Sequence, residues 1–226
     1  MMALLDYGAG NLTSVKKALA AVGADVFVPE QPGDLTRARG IIVPGVGHFG
    51  ATRALGAGWV ERIRARLNDG CPLLGICLGM QWLYDASDES PDLKGLGILS
   101  GRITRLRVEN VAQAFRPADA GLKPCATADR ISDATRDRIK VPHVGWNSLS
   151  LVHDAPIVDG IANGAQVYFT HSYVAPVTAD TAALTEHGES FASVVQRGRI
   201  AGVQFHPEKS GEVGLRVLRN FVRWME

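Results

Sequence analysis

Apolar positions in the first half of the chain switch between two periods. Ala3-Leu4-Leu5 is a short apolar run closed by Asp6-Tyr7-Gly8. Leu12, Val15, Leu19 and Val22 then recur at helical spacing, and Gly23 is a natural stop. Asp25–Val28 reads as a second strand ended by Pro29, and Gly40–Val43 as a third that breaks off at Pro44-Gly45. Helical character is expected from about Ala51 to Leu67, weakened by Gly56 and Gly58. Pro72–Ile76 is a fourth apolar strand leading into a helix through Met80-Gln81-Trp82-Leu83. Unbroken apolar strands alternating with helices predict a parallel sheet covered on both faces.

The second half is richer in strands. Ile98–Leu106, Val141–Leu151, Gln166–Val174, Thr181–Glu186 and Phe191–Phe205 carry β-type composition, with a hairpin turn at Gln196-Arg197-Gly198-Arg199. A last helix is periodic at Val217, Leu218, Phe221, Val222 and Met225. Between the halves, Glu109–Arg138 is polar, rich in Ala, Asp and Arg and weakly periodic, and reads as a surface insertion. The expected fold is a single α/β domain over residues 1–226, with a mostly parallel central sheet and additional antiparallel strands.

Composition narrows the classes of function. With 46% hydrophobic and 21% charged residues, the chain of 226 residues can bury a sizeable core. Its 24 Lys and Arg against 23 Asp and Glu leave a net charge of +1, so nothing asks for nucleic acid or an anionic membrane. No apolar run approaches the ~18 residues of a membrane span, and the N-terminus lacks the basic start and apolar stretch of a signal peptide. The cysteines are three, Cys71, Cys77 and Cys125, without a CxxC pair. That argues against a disulfide framework or structural zinc and for reduced thiols in the cytoplasm.

One of those thiols stands in a chemical setting. Gly75-Ile76-Cys77-Leu78-Gly79 follows a strand and opens a helix, the context of a nucleophile elbow with Cys in place of Ser. The sharp turn needs small residues two positions either side, and it exposes the sulfur at the sheet edge beside helix N–H groups that favour thiolate. A buried structural cysteine beside a glycine-rich turn is the plainer alternative. A nucleophilic Cys needs a base and an orienter. His206-Pro207-Glu208 ends a strand and offers both, since Glu208 can lie on the same side as His206. His171, in Tyr168-Phe169-Thr170-His171-Ser172-Tyr173, is the rival base, although an apolar strand suits a hydrogen-bonded wall residue better. His143 has the same alternative, and His48, His153 and His187 lack any supporting pattern. The turn at Pro44-Gly45-Val46-Gly47 could join the Leu78 N–H in an oxyanion hole, or be only a strand-to-helix connection.

Taken together, GICLGMQ, PGVGHFG and GVQFHPEKS resemble the class I, or triad, glutamine amidotransferases. DYGAGNL, PHVGWN and YFTHSY extend the resemblance, nearly end to end and in order, to the glutaminase subunits of imidazole glycerol phosphate synthase in histidine biosynthesis. It implies a flavodoxin-like three-layer fold and a triad of Cys77, His206 and Glu208. It also implies an oxyanion hole from Gly45, Val46, Gly47 and Leu78, the PGVG strand flipping to complete it. Gln81, Glu89, His171, Ser172 and Tyr173 would bind glutamine, with no metal or organic cofactor required. Asn11, Trp146, Tyr168 and Lys209 would meet a partner, a (βα)8-barrel cyclase subunit that receives the ammonia. The segment Glu109–Arg138 is longer than the family's usual connection into PHVGWN. Two other classes share an elbow cysteine: a γ-glutamyl hydrolase acting alone, and a catalytically silent binding or redox-sensing protein.

Overall fold

The computed structural model describes residues 1–107 and 139–225. The expected insertion at Glu109–Arg138, and Cys125 within it, lie outside the described residues. In chain order the first half holds β1 Met2–Leu4, α1 Leu12–Ala21, β2 Val26–Phe27, β3 Ile41–Val43, α2 Ala57–Asn68, β4 Leu73–Ile76 and α3 Leu78–Trp82. Next come β5 Ala86–Ser87, β6 Arg102–Arg105, β7 His143–Ser148, β8 Ser150–Leu151, β9 Gln166–His171 and β10 Tyr173–Val174. The chain closes with β11 Thr181–His187, β12 Glu189–Arg197, β13 Ile200–Val203 and α4 Gly211–Arg223.

Eight strands form the main sheet in the order β2-β1-β3-β4-β13-β12-β11-β8. Pairing is parallel from β2 through β13 and antiparallel from β13 to β8. Successive strand residues feed opposite faces, as the two-residue period requires. Met2, Leu4, Ile42, Leu74 and Ile76 join a core with Val15 and Leu19 of α1 and Val217, Leu218 and Phe221 of α4. Ala3, Leu5, Ile41, Val43 and Leu73 join a second core with Ile63 of α2 and Leu78 and Met80 of α3. The result is three layers, the sheet buried on both sides. The carboxyl ends of β1, β3, β4 and β13 all point to one edge, where open α/β sheets place their sites.

Local chemistry explains where the pattern departs from the structure. The helix expected over Ala51–Leu67 is a 3-10 turn at Phe49–Ala54 followed by α2, because Gly56 takes an extended N-cap conformation between them. Gln166–Val174 is two strands: β9 pairs with β7, and beyond Ser172 β10 pairs with β6. Val141–Leu151 divides likewise, β7 facing β9 and β8 facing β11. Only Arg102–Arg105 of the run Ile98–Leu106 is strand. The hairpin between β12 and β13 forms as expected, with Gly198 at a φ of 57°.

Candidate active site

The turn after β4 is dictated by steric limits. A Cβ on Gly75 would stand 2.6 Å from the Gly79 carbonyl oxygen, and one on Gly79 would overlap the Val43 carbonyl of the neighbouring strand. Between them Cys77 adopts a φ of 52°, the single positive value of any non-glycine among the described residues. Such a conformation persists only where the surroundings enforce it. The Cys77 N–H is held by the Val203 carbonyl at 2.7 Å, tying the elbow to the end of β13.

His206 leaves that same strand end three residues later. Its backbone N–H donates to the Tyr168 carbonyl at 2.9 Å, and Nδ1 lies 2.9 Å from Glu208 Oε1. Both side chains are almost wholly buried, 2% and 3% exposed. Nε2 has no hydrogen-bond partner among the described residues, nor has Glu208 Oε2. Burial opposes the imidazolium, but side-chain interaction with Cys77 and the Glu208 hydrogen bond, with the charges of both groups, outweigh it and raise the pKa to about 10. His206 therefore keeps its proton at neutral pH. The structure brings Cys77, His206 and Glu208 together.

His171 is occupied elsewhere. Its Nδ1 lies 3.0 Å from the Tyr173 carbonyl, which can only accept, so Nδ1 is the protonated nitrogen. Nε2 then accepts from His143 Nδ1 at 3.0 Å, and His143 Nε2 accepts from Asn147 Nδ2 at 3.2 Å. His143 also stacks on His187, ring centroids 3.9 Å apart. Burial, with mutual repulsion, pushes the pKa of His171 down to about 3 and that of His143 to about 4. Cys71 is buried below the Ala38 and Pro72 carbonyls, away from this edge, and burial pushes its thiol up.

Of the four residues expected to form an oxyanion hole, Val46 and Leu78 have their N–H groups already engaged. Leu78 N–H donates to the Gly45 carbonyl at 3.3 Å, and Val46 N–H to the Ala9 carbonyl at 3.2 Å. Gly45 has no room for a side chain, since a Cβ would stand 2.8 Å from Leu78 Cβ and overlap the Tyr7 hydroxyl. Gly47 has a φ of 95° and open space around it. Tyr7 is half-buried and its hydroxyl, shut away from solvent, has no partner among the described residues; burial and the charge of Cys77 push its pKa up.

Gln81 donates from Nε2 to the Tyr173 carbonyl at 3.0 Å, joining two residues expected to bind glutamine. Glu89 is half-buried, and its Oε2 accepts the Phe49 N–H at 2.6 Å, which places it against the PGVGHF turn. The Ser172 carbonyl is taken by Leu106 N–H at 2.9 Å. Of the expected partner-facing residues, three cluster. Trp146, 57% exposed, meets the Tyr168 ring edge-on at 6.1 Å, and Lys209 Nζ lies 5.5 Å from the Tyr168 centroid. Asn11 has a local task in addition: its side chain accepts from Ser14 N–H at 3.2 Å and caps α1.

Sequence reasoning passed over Gln204. It is fully buried, donates from Nε2 to Cys77 Sγ at 3.5 Å and accepts from Gln81 Nε2 at 3.1 Å. The signal was there: Gln204 stands two positions before His206, on the same side of an extended segment otherwise apolar. Among the described residues no group of three or more His, Cys, Asp or Glu side chains is arranged to hold a metal ion. No described helix is long and apolar enough to cross a membrane.

This architecture matches known proteins along its whole length. The family described as glutamine amidotransferase class-I matches residues 3–224. The chain is 39% identical over 231 residues to the imidazole glycerol phosphate synthase subunit HisH of Geobacillus sp. (strain WCH70), covering 100% of this chain and 98% of that protein. It is 39% identical over 223 residues to the subunit of the same name from Methanothermobacter thermautotrophicus, covering 98% of each. The chloroplastic imidazole glycerol phosphate synthase hisHF of Arabidopsis thaliana is 39% identical over 228 residues, 98% of this chain but 34% of that protein. Among solved structures, PurLQS from Thermotoga maritima superposes with a TM-score of 0.68 at 18% identity, covering 100% of this chain and 98% of that chain, a likeness of fold. The chain belongs to the class-I glutamine amidotransferases and, within them, to the HisH subunits of imidazole glycerol phosphate synthase.

Proposed function

We propose that the chain hydrolyses glutamine to glutamate and ammonia at Cys77 and hands the ammonia to a (βα)8-barrel cyclase subunit. The observation that carries the reading is the geometry at the shared edge of β4 and β13, where buried His206 sets Nδ1 2.9 Å from Glu208 Oε1 beside Cys77, partners that favour its protonated form. The Cys77 sulfur attacks the side-chain carbonyl carbon of glutamine. His206 gives its proton to the departing nitrogen, and ammonia leaves. Water, deprotonated by His206, then opens the γ-glutamyl thioester, releasing glutamate and returning the thiol. Glu208 holds the ring throughout. Gln81, Glu89 and the segment His171–Tyr173 border the pocket for the amino-acid head.

The conformation described is a resting one. Gly45 carbonyl and Ala9 carbonyl occupy the N–H groups of Leu78 and Val46 that would stabilise the tetrahedral oxyanion. Withholding one such donor typically costs ~10²–10³ in rate. Gly45 and Gly47 flank Val46, so the peptide units between them can rotate at little steric cost. A partner docking on Trp146, Tyr168 and Lys209 would favour the rotated state, and activation is bounded by its differential affinity for the two states. Direct transfer of ammonia keeps it from becoming ammonium, which is not nucleophilic.

The test is steady-state glutamate formation by the isolated chain, by its complex with the cyclase subunit, and by the complex with the nucleotide substrate. Turnover should rise along that series. Equal turnover in all three would mean a hydrolase acting alone, and no glutamate in any would remove the assignment.

A further inference from the structure

Gln81, Gln204 and Cys77 form a chain of hydrogen bonds whose direction is set at one end. The Tyr173 carbonyl has no hydrogen to give, so the Gln81 atom 3.0 Å from it is the amide nitrogen. That same nitrogen lies 3.1 Å from the Gln204 amide, which must therefore present its oxygen. The other end of the Gln204 amide is then its NH2 group, 3.5 Å from Cys77 Sγ. Reversing the Gln204 amide would set its NH2 group against that of Gln81, and the side chain is fully buried. A neutral thiol is a weak acceptor, whereas a thiolate is a strong one. A buried amide donor fixed on sulfur therefore interacts more strongly with the ionised state.

We propose that Gln204 is a further catalytic residue, a fixed N–H donor that stabilises the Cys77 thiolate, with Gln81 setting the direction of its amide. With the proton on His206, the Gln204 N–H makes a charge-assisted bond to the Cys77 thiolate. When the sulfur attacks and becomes a thioester the bond weakens, and it returns when the thioester is hydrolysed. Because Gln81 also borders the proposed glutamine pocket, its amide links substrate contact to the nucleophile. The inference deepens the reading of Cys77 as nucleophile and rests on it.

Iodoacetamide alkylation of Cys77 across pH tests the donor without needing glutaminase activity. Gln204→Met keeps the volume and removes the donor; Gln204→Glu keeps the shape and replaces the donor with an acceptor. Both should alkylate about tenfold more slowly than wild type near neutral pH, the size expected for losing one hydrogen bond to a charged group. Both should draw level at alkaline pH, where thiolate forms unaided, with Gln204→Glu at least as slow as Gln204→Met. A loss equal at every pH would mean a packing role, and no loss would mean no role; either overturns the proposal. Should both variants fail to fold, the native chain decides. The Gln204 side-chain amide protons, followed by NMR in 15N-labelled protein, should shift upfield when Cys77 is alkylated, and an unmoved signal overturns the proposal. Normal alkylation behaviour with no glutamate release would instead sink the glutaminase reading alone.

Discussion

His206 at the end of β13 and the His143–His171 pair between β7 and β9 are buried to a similar degree, 1%, 3% and 7% exposed, yet they are driven in opposite directions. Burial penalises the imidazolium in each. At His143 and His171 the neighbours are a carbonyl, an amide, His187 and each other, too little to offset burial, and both rings stay neutral. At His206 the Cys77 sulfur and the Glu208 carboxylate are the neighbours, and hydrogen bonding to them, with their charges, more than offsets the desolvation. The first group is a wall built of satisfied hydrogen bonds. The second is a proton store. Burial depth does not separate a structural histidine from a candidate base here; the charge of the partner does.

The most damaging change should be Cys77→Ala, lowering glutamate release by about 10⁴-fold or more while the chain still folds, because triad members act as a unit. Near-normal release would break the comparison at its root. His206→Ala should cost ~10²–10⁴-fold, and His171→Ala less than the ~10²-fold floor of general acid–base catalysis. Steady-state kinetics that reversed that order would make the wall the base. Glu208→Gln should cost less than His206→Ala, because a hydrogen bond to Nδ1 survives while the proton-transferring ring is kept.

The smallest and sharpest effect is on stability against pH. The native pKa of His206, about 10, lies above its ordinary 6.5, so its contribution is complete below about 6.5 and is lost as pH rises through about 10. For His171 and His143 the native values, about 3 and about 4, lie below 6.5. Their neutral forms favour folding above about 6.5, and that is lost as pH falls toward those values. Urea unfolding should show the gap between wild type and His206→Gln shrinking from pH 7 to pH 10. The gap between wild type and His171→Asn should shrink toward acid instead. Parallel curves for the two variants would erase the distinction.

Much of this was legible beforehand for a local reason. Gly75 is required by contacts within its own strand–turn–helix unit, four residues on at Gly79, whereas the space at Gly79 is closed by Val43 of the neighbouring strand. His206 and Glu208 are near neighbours across a proline, and their pairing needs little beyond the turn at Pro207–Lys209. The split of Gln166–Val174 at Ser172 was not legible, because it depends on which distant strands, β7 or β6, each piece finds. Glu89 stood as a glutamine-binding residue by resemblance alone, and only the fold carries the Phe49 N–H onto it. Asn11 read as a partner-facing residue, and the structure adds a capping role visible only once α1 has a defined start.

What the sequence determined by itself was therefore whatever rests on short-range sterics and periodicity: two-faced strands, an elbow that only glycine-flanked Cys77 can make, and a histidine placed beside its carboxylate. The tertiary structure alone decided which way the polar groups point. Val46 N–H faces Ala9 because the turns after β1 and β3 lie side by side. Gln204 aims its NH2 at sulfur because a carbonyl on β10 fixes Gln81. Hydrogen bonds have direction, and their direction comes from partners far along the chain, which no local pattern records.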